Sequence, residues 1–180
     1  VYLNKRTLVL GDVNAGKTTF CKNILDAMQR AGLSWRIAII DFAPDIFGTE
    51  QDLSDLKGVG GKLLATNRES IAWLSDSFVP PRLSSKDEQE ALQKARENAA
   101  KGLTLFRCYA ELKRDILFIN DISIFLQAES AQRVMELTQS AKTIVANGYY
   151  GGKLGAGALS LRERREMESL KGYFDNCILL

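Results

Sequence analysis

Eight consecutive residues, Gly11-Asp12-Val13-Asn14-Ala15-Gly16-Lys17-Thr18, place a glycine, four residues, then Gly-Lys-Thr. That spacing suits a loop that folds around phosphate. Glycines let successive backbone N–H groups turn inward toward oxygens, and a helix opening at the loop's end aims its positive dipole end at them. Lys17 would then reach the β- and γ-phosphates of a nucleoside triphosphate, and the Thr18 hydroxyl would ligate Mg²⁺. Thr19 extends the set, so Gly11 to Thr19 is the candidate nucleotide-binding stretch, with ATP and Mg²⁺ as its cofactors. A chance glycine-rich turn would share the composition. The flanks argue against it: Thr7 to Leu10 has the apolar run of a buried strand, and Thr19 to Arg30 has helical spacing.

The acids that could serve such a loop stand at the ends of other strands. Ile116-Leu117-Phe118-Ile119 is an apolar run stopping at Asn120-Asp121. Asp121 there would hold the Mg²⁺ hydration shell or orient a water, and Asn120 could share the role. A helix or turn cap is the alternative for Asp121. Ile37 to Ile40 is a second such run, stopping at Asp41, with the same two readings. The chain has no histidine, so acid–base chemistry falls to carboxylates, lysine or water.

The loop in its strand–helix setting is similar to the P-loop NTPase superfamily. The resemblance implies a three-layer α/β/α domain over residues 1–180 that binds triphosphate and Mg²⁺. It also implies that Asp41, at the end of the strand after the loop's helix, faces the γ-phosphate as base or second metal contact, with Asp45 as a fallback. Lys17, Asp41 and Asp121 become the catalytic set, and Thr18 and Asp121 the metal set. GTPases of the superfamily carry Asn-Lys-x-Asp after the fourth strand. This chain has Asn147-Gly148-Tyr149-Tyr150 there, which favours ATP over GTP. Over its first 50 or so residues the chain also resembles the polynucleotide 5′-hydroxyl kinases of RNA processing, through Gly11-Asp12-Val13, Gly16-Lys17-Thr18-Thr19 and Asp41. That family continues Asp-x-Asp-x-Gly-Gln, where this chain has Asp41-Phe42-Ala43-Pro44-Asp45-Ile46.

The elements that must position these groups alternate. Apolar runs at Thr7–Leu10, Ile37–Ile40, Ile116–Ile119, Thr143–Ala146 and Cys177–Leu180 suit a mostly parallel sheet of about five strands, covered on both faces. Helical segments between them complete the α/β pattern. The stretch between the second and third runs exceeds what one crossover helix needs. Residues 42–103 are therefore expected to be an insertion that binds a substrate, a nucleic acid or a protein partner. Within it Ser85-Lys86-Asp87-Glu88 has capping-box form, predicting a helix over 86–101 that Gly102 ends. A second helix follows, with Leu105, Phe106, Tyr109 and Leu112 on one face.

Lesser signals remain. Gly58-Val59-Gly60-Gly61-Lys62 could grip an acceptor phosphate with Lys57 and Lys62, or be a turn. Gly148 to Gly157 could be a flap that carries Arg162 or Arg165 over the phosphates, or those arginines could lie on a solvated helix. Tyr149 and Tyr150 could stack on a base. Trp73 and Phe78 fit a small core inside the insertion, and Arg82 is a loop charge. Charged residues make up 26% and the net charge is +2, which neither demands nor excludes a nucleic-acid partner. Cys21, Cys108 and Cys177 have no motif spacing and suit free thiols in a reducing cytoplasm. No run approaches the roughly 18 apolar residues of a membrane span, and none has the form of a secretory signal. Three functions stay open: a partner-stimulated ATPase, a kinase for a hydroxyl acceptor, and a nucleotide-binding module without turnover.

Overall fold

A computed structural model describes residues 1–44, 61–67, 69–152 and 157–180. Its strands are β1 (Arg6–Gly11), β2 (Ile37–Asp41), β3 (Ala72–Ser75), β4 (Ile116–Asn120), β5 (Thr143–Tyr149) and β6 (Asn176–Leu179). They form one sheet in the order β3-β2-β4-β5-β1-β6, with every pair parallel. The expected count of about five falls one short. β3 lies inside the stretch read as an insertion, and its half-exposed Ala-Trp-Leu-Ser sequence forms the sheet edge beside β2. A strand covered on one side only has no need of a continuous apolar run.

Successive side chains of the central strands point to opposite faces, and helices cover both. On one face Val9, Ile37, Ile39, Phe118 and Val145 meet Cys21, Ile24, Leu25 and Met28 of α1 (Lys17–Arg30). On the other, Leu8, Leu10, Ala38, Ile40, Leu117, Ile119 and Ala146 form the larger core. The short helix α2 (Pro81–Ser84) precedes α3 (Glu88–Glu111), α4 (Ile122–Leu126), α5 (Ala131–Leu137) and α6 (Ala158–Lys171). Residues from α3 to α6 pack into that larger core.

α3 differs from expectation at both ends. Its cap is Asp87, whose side chain accepts from Glu90 N–H at 2.8 Å, while Glu90 reaches back to Lys86 N–H at 2.8 Å. The reciprocal capping pair is therefore set two residues beyond the Ser85–Glu88 box. Gly102 does not end the helix, which runs 24 residues without a break. A side chain at Gly102 would come within 2.7 Å of both Phe42 and Phe125. Those rings belong to a cluster with Phe78 and Phe106 at centroid separations of 5.2–5.9 Å. Glycine is required here for close approach rather than for a turn. Phe78 is accordingly part of the main core and not of a separate small one, while Trp73 lies on the exposed edge strand. Among the described residues no helix is long and apolar enough to cross a membrane.

Candidate functional site

Parallel strands deliver their C-terminal residues to one edge, where α/β proteins bind ligands. Here that edge gathers Gly11, Asp41, Asn120 and Tyr149. The register pairs Asp41 with Asn120 and Gly11 with Tyr149. The loop after β1 turns through Asn14 (φ 62°) and Gly16 (φ 84°), both left-handed, before α1 begins. Only glycine adopts that backbone without cost, which accounts for Gly16. Gly11 is needed for space: a side chain there would meet Ala15 Cβ and Leu180 O at 2.9 Å.

Inside the loop, Asp12 O accepts from Ala15 N–H at 3.2 Å and from Lys17 Nζ at 2.6 Å. The Asp12 carboxylate accepts from Val13 N–H at 2.7 Å. Gly151 packs against that carboxylate so closely that a Cβ would lie 2.6 Å from Asp12 Cγ. Lys17 is half-buried, and desolvation lowers its pKa despite Asp121 and Asp12 nearby. A cation held in this way is stabilised by any anion that joins it. Thr18 is half-buried, with its hydroxyl 3.5 Å from Asn120 Oδ1, whereas Thr19 is exposed.

A chain of buried polar groups crosses the strand ends. Asp41, fully buried, accepts from Ala43 N–H (3.0 Å) and Asn120 Nδ2 (2.8 Å) on Oδ1, and from Leu63 N–H (2.8 Å) on Oδ2. Asn120 Nδ2 also donates to Gly61 O at 2.9 Å. Asn120 Oδ1 accepts from Asn147 Nδ2 at 2.8 Å, and Asn147 Oδ1 accepts from Asp121 N–H at 3.0 Å. Asn147 Nδ2 further meets Cys21 Sγ at 3.5 Å. Cys21 is buried, and desolvation pushes its thiol up to about 12, so it is held as a neutral thiol.

Asp121 joins this chain only through its backbone N–H, and its side chain stands apart. Its backbone is left-handed (φ 57°), and its carboxylate does not cap α4. It accepts instead from Ser123 Oγ at 2.6 Å. Desolvation raises its pKa, opposed by the Ser123 bond and by the charges of Lys17 and Arg82. Of the two strand-end aspartates, Asp41 is thus tied down on both oxygens, while Asp121 shares an electrostatic neighbourhood with Lys17.

Arg82 is the charge that sequence reading left unassigned. Val79 exchanges hydrogen bonds with the buried Asn98 side chain (2.8 and 3.3 Å), which fixes the approach to Pro80-Pro81. Pro81 fits the first turn of α2, as proline there sacrifices no helical bond. Arg82 is thereby carried to Glu163 Oε1 at 3.0 Å and Ser160 Oγ at 3.2 Å, with its guanidinium 5.4 Å from the Tyr149 ring centroid. Of the two readings for Arg162 and Arg165, the solvated helix is the one found, since both lie exposed on α6. Arg162 donates to Ala128 O, and Arg165 pairs with Glu166 while largely exposed. Asp45, Lys57 and the glycines through Gly60 lie outside the described residues, as does 153–156 of the expected flap. Gly61 returns to the strand ends through its bond from Asn120.

Among the described residues no three His, Cys, Asp or Glu side chains gather closely enough to hold a metal alone. Comparison of the chain with family models and with curated proteins gave no match.

Proposed function

We propose that Gly11–Thr19 is a P-loop that binds Mg·ATP, and that the protein transfers the terminal phosphoryl group to water or to a hydroxyl. One observation carries the reading. Lys17 Nζ is folded onto the Asp12 carbonyl at the mouth of the loop, at the opening of α1 and beside Thr18, where its charge would face a phosphate held by the loop. Bound Mg²⁺ would neutralise charge on the phosphates. Thr18 is the ligand this chain offers it, with Asn120 Oδ1 as the nearest group able to orient a coordinated water.

The geometry favours a division of labour among the strand-end residues. Asp41 organises Asn120 and the Gly61–Leu63 segment. Asp121, near Lys17 and, among the described residues, accepting a side-chain bond only from Ser123, is the better candidate to receive a proton from the attacking group. Phosphoryl transfer needs little beyond positioning and charge stabilisation, so this set suffices. ATP is favoured over GTP because Asn147-Gly148-Tyr149-Tyr150, where β5 ends, lacks the lysine and aspartate of the guanine-reading Asn-Lys-x-Asp.

Release of ADP from Mg·ATP by purified wild-type protein, Lys17→Ala and Asp121→Asn tests the reading. Turnover in the wild type should fall at least about a hundredfold in Asp121→Asn, the lower range for losing a general acid–base group. ATP binding should survive in that variant. Equal turnover in all three proteins would reject a catalytic loop.

A further inference from the structure

Two adjoining cavities, one lined by Asp121 and the other by α6, share Arg82 and Tyr149 as walls. The smaller, about 40 Å³, is closed by Pro81, Asp121, Ser123 and Gln127. It has room for a water-sized or hydroxyl-sized group. The larger, about 140 Å³, is bounded by Tyr150, Gly151, Gly152, Ser160, Glu163 and Arg164. Glycines at 151 and 152 leave the backbone bare along that wall.

The groups in these walls have an ordered polarity. Gln127 and Glu163 are almost fully buried, at 1% and 2% exposure. Gln127 Nε2 donates to Glu163 Oε2 at 2.7 Å, and its Oε1 has no hydrogen-bond partner among the described residues. Turning the amide over exchanges the two atoms and still leaves one without a protein partner. Buried amides are normally satisfied, so this one suits a site that a ligand completes. Desolvation pushes the Glu163 carboxyl up to about 7, despite Arg82 beside it. Arg82 is paired with Glu163 at 3.0 Å, and Arg164 adds a second guanidinium to the same walls, which leaves the larger cavity positive. The smaller cavity ends on the Asp121 carboxylate, an acceptor for a hydroxyl proton.

From this juxtaposition we propose that the two cavities take a small hydroxylated anion, a carboxylate or a phosphate ester, as the phosphoryl acceptor. Its charge rests on Arg82 and Arg164 and its hydroxyl lies between Asp121 and Gln127. The inference rests on the Mg·ATP reading of the loop. In the transfer step the acceptor hydroxyl gives its proton to Asp121 and its oxygen bonds to the terminal phosphorus of the triphosphate. The bond from that phosphorus to the bridging oxygen breaks, and the electron pair leaves on the nucleoside diphosphate. Arg82 and Arg164 bind and orient; they take no part in proton transfer.

The test is calorimetric titration of the full chain with glycerate, glycerol 3-phosphate and uncharged glycerol, and separately with Mg·ATP on the same sample. Arg164→Gln is the main variant, because Arg164 is exposed and rests on the Tyr150 ring, so the fold should tolerate its loss. Arg82→Gln is the second. Binding of one or both charged compounds but not glycerol, weakened about tenfold or more in either variant, supports the site. The tighter of the two anions identifies carboxylate or phosphate as the natural charge, and formation of its phosphorylated product with Mg·ATP establishes the acceptor role. Protein that binds ATP but neither anion, or binds them equally in both variants, overturns the acceptor site and leaves the loop reading intact. Anion binding without ATP binding overturns the acceptor role together with the loop reading, as does binding of neither.

Discussion

Replacing Asp41 by asparagine separates two uses for an acid at the end of β2. Its carboxylate is fully buried and, among the described residues, accepts three hydrogen bonds, two on Oδ1 and one on Oδ2. Asparagine keeps one of those oxygens. If the oxygen serves Ala43 N–H and Asn120 Nδ2, the new amide nitrogen faces Leu63 N–H, donor against donor. The opposite orientation forfeits two bonds. The lesser loss is one charge-assisted bond and one unsatisfied buried N–H, about 2–3 kcal/mol. With a urea dependence of about 2 kcal/mol per molar for a domain of this class, the midpoint should fall by about 1 M or more. Circular dichroism across a urea series on wild type and Asp41→Asn measures it. A midpoint equal to the wild type's would refute the organising role, and a collapse of turnover at unchanged stability would give Asp41 the base role instead.

Gly102→Ala gains about 1 kcal/mol of helix propensity but drives a methyl into Phe42 and Phe125, a clash of about 1–3 kcal/mol. Net destabilisation of about 1 kcal/mol is expected by urea unfolding, and a stabilised variant would show that the rings yield. For Glu163 the folded carboxyl titrates near 7 against an ordinary 4.5. The folded state therefore binds the extra proton between those values, and this group's contribution to stability falls as pH rises from about 4.5 to about 7, by about 3 kcal/mol. Stability in Glu163→Gln should be correspondingly flatter between pH 5 and pH 8, and an unchanged slope would refute that assignment.

The apolar runs that became β1, β2, β4 and β5 were legible because buried parallel strands need side chains that are apolar on both faces, whereas β6 is a half-exposed edge strand that was legible only because Cys177–Leu180 happens to be apolar. The Gly11–Thr18 loop was legible because its glycines and Lys17 lie within one turn of chain. β3 was not, since an edge strand with Trp73 half-exposed carries no such run. Gly102 misled because glycine's common use is to end a helix, whereas here bare backbone admits Phe42 and Phe125 from distant segments. Arg82 and Glu163 stand 81 residues apart, and neither has a local pattern that names the other. Asn120 and Asn147 were visible as residues following apolar runs. That they pair with each other, and that Asp41 is bound by Leu63 and Asn120, depends on strand order that the linear pattern does not contain.

Calorimetric titration of the purified chain with ATP and with GTP, each with Mg²⁺, tests the central claim most directly, with Lys17→Ala run alongside. Saturable binding that prefers ATP and disappears in a folded Lys17→Ala is the predicted result. Unchanged ATP affinity in that variant, or no binding of either nucleotide to the wild type, would contradict the assignment of the Gly11–Thr19 loop.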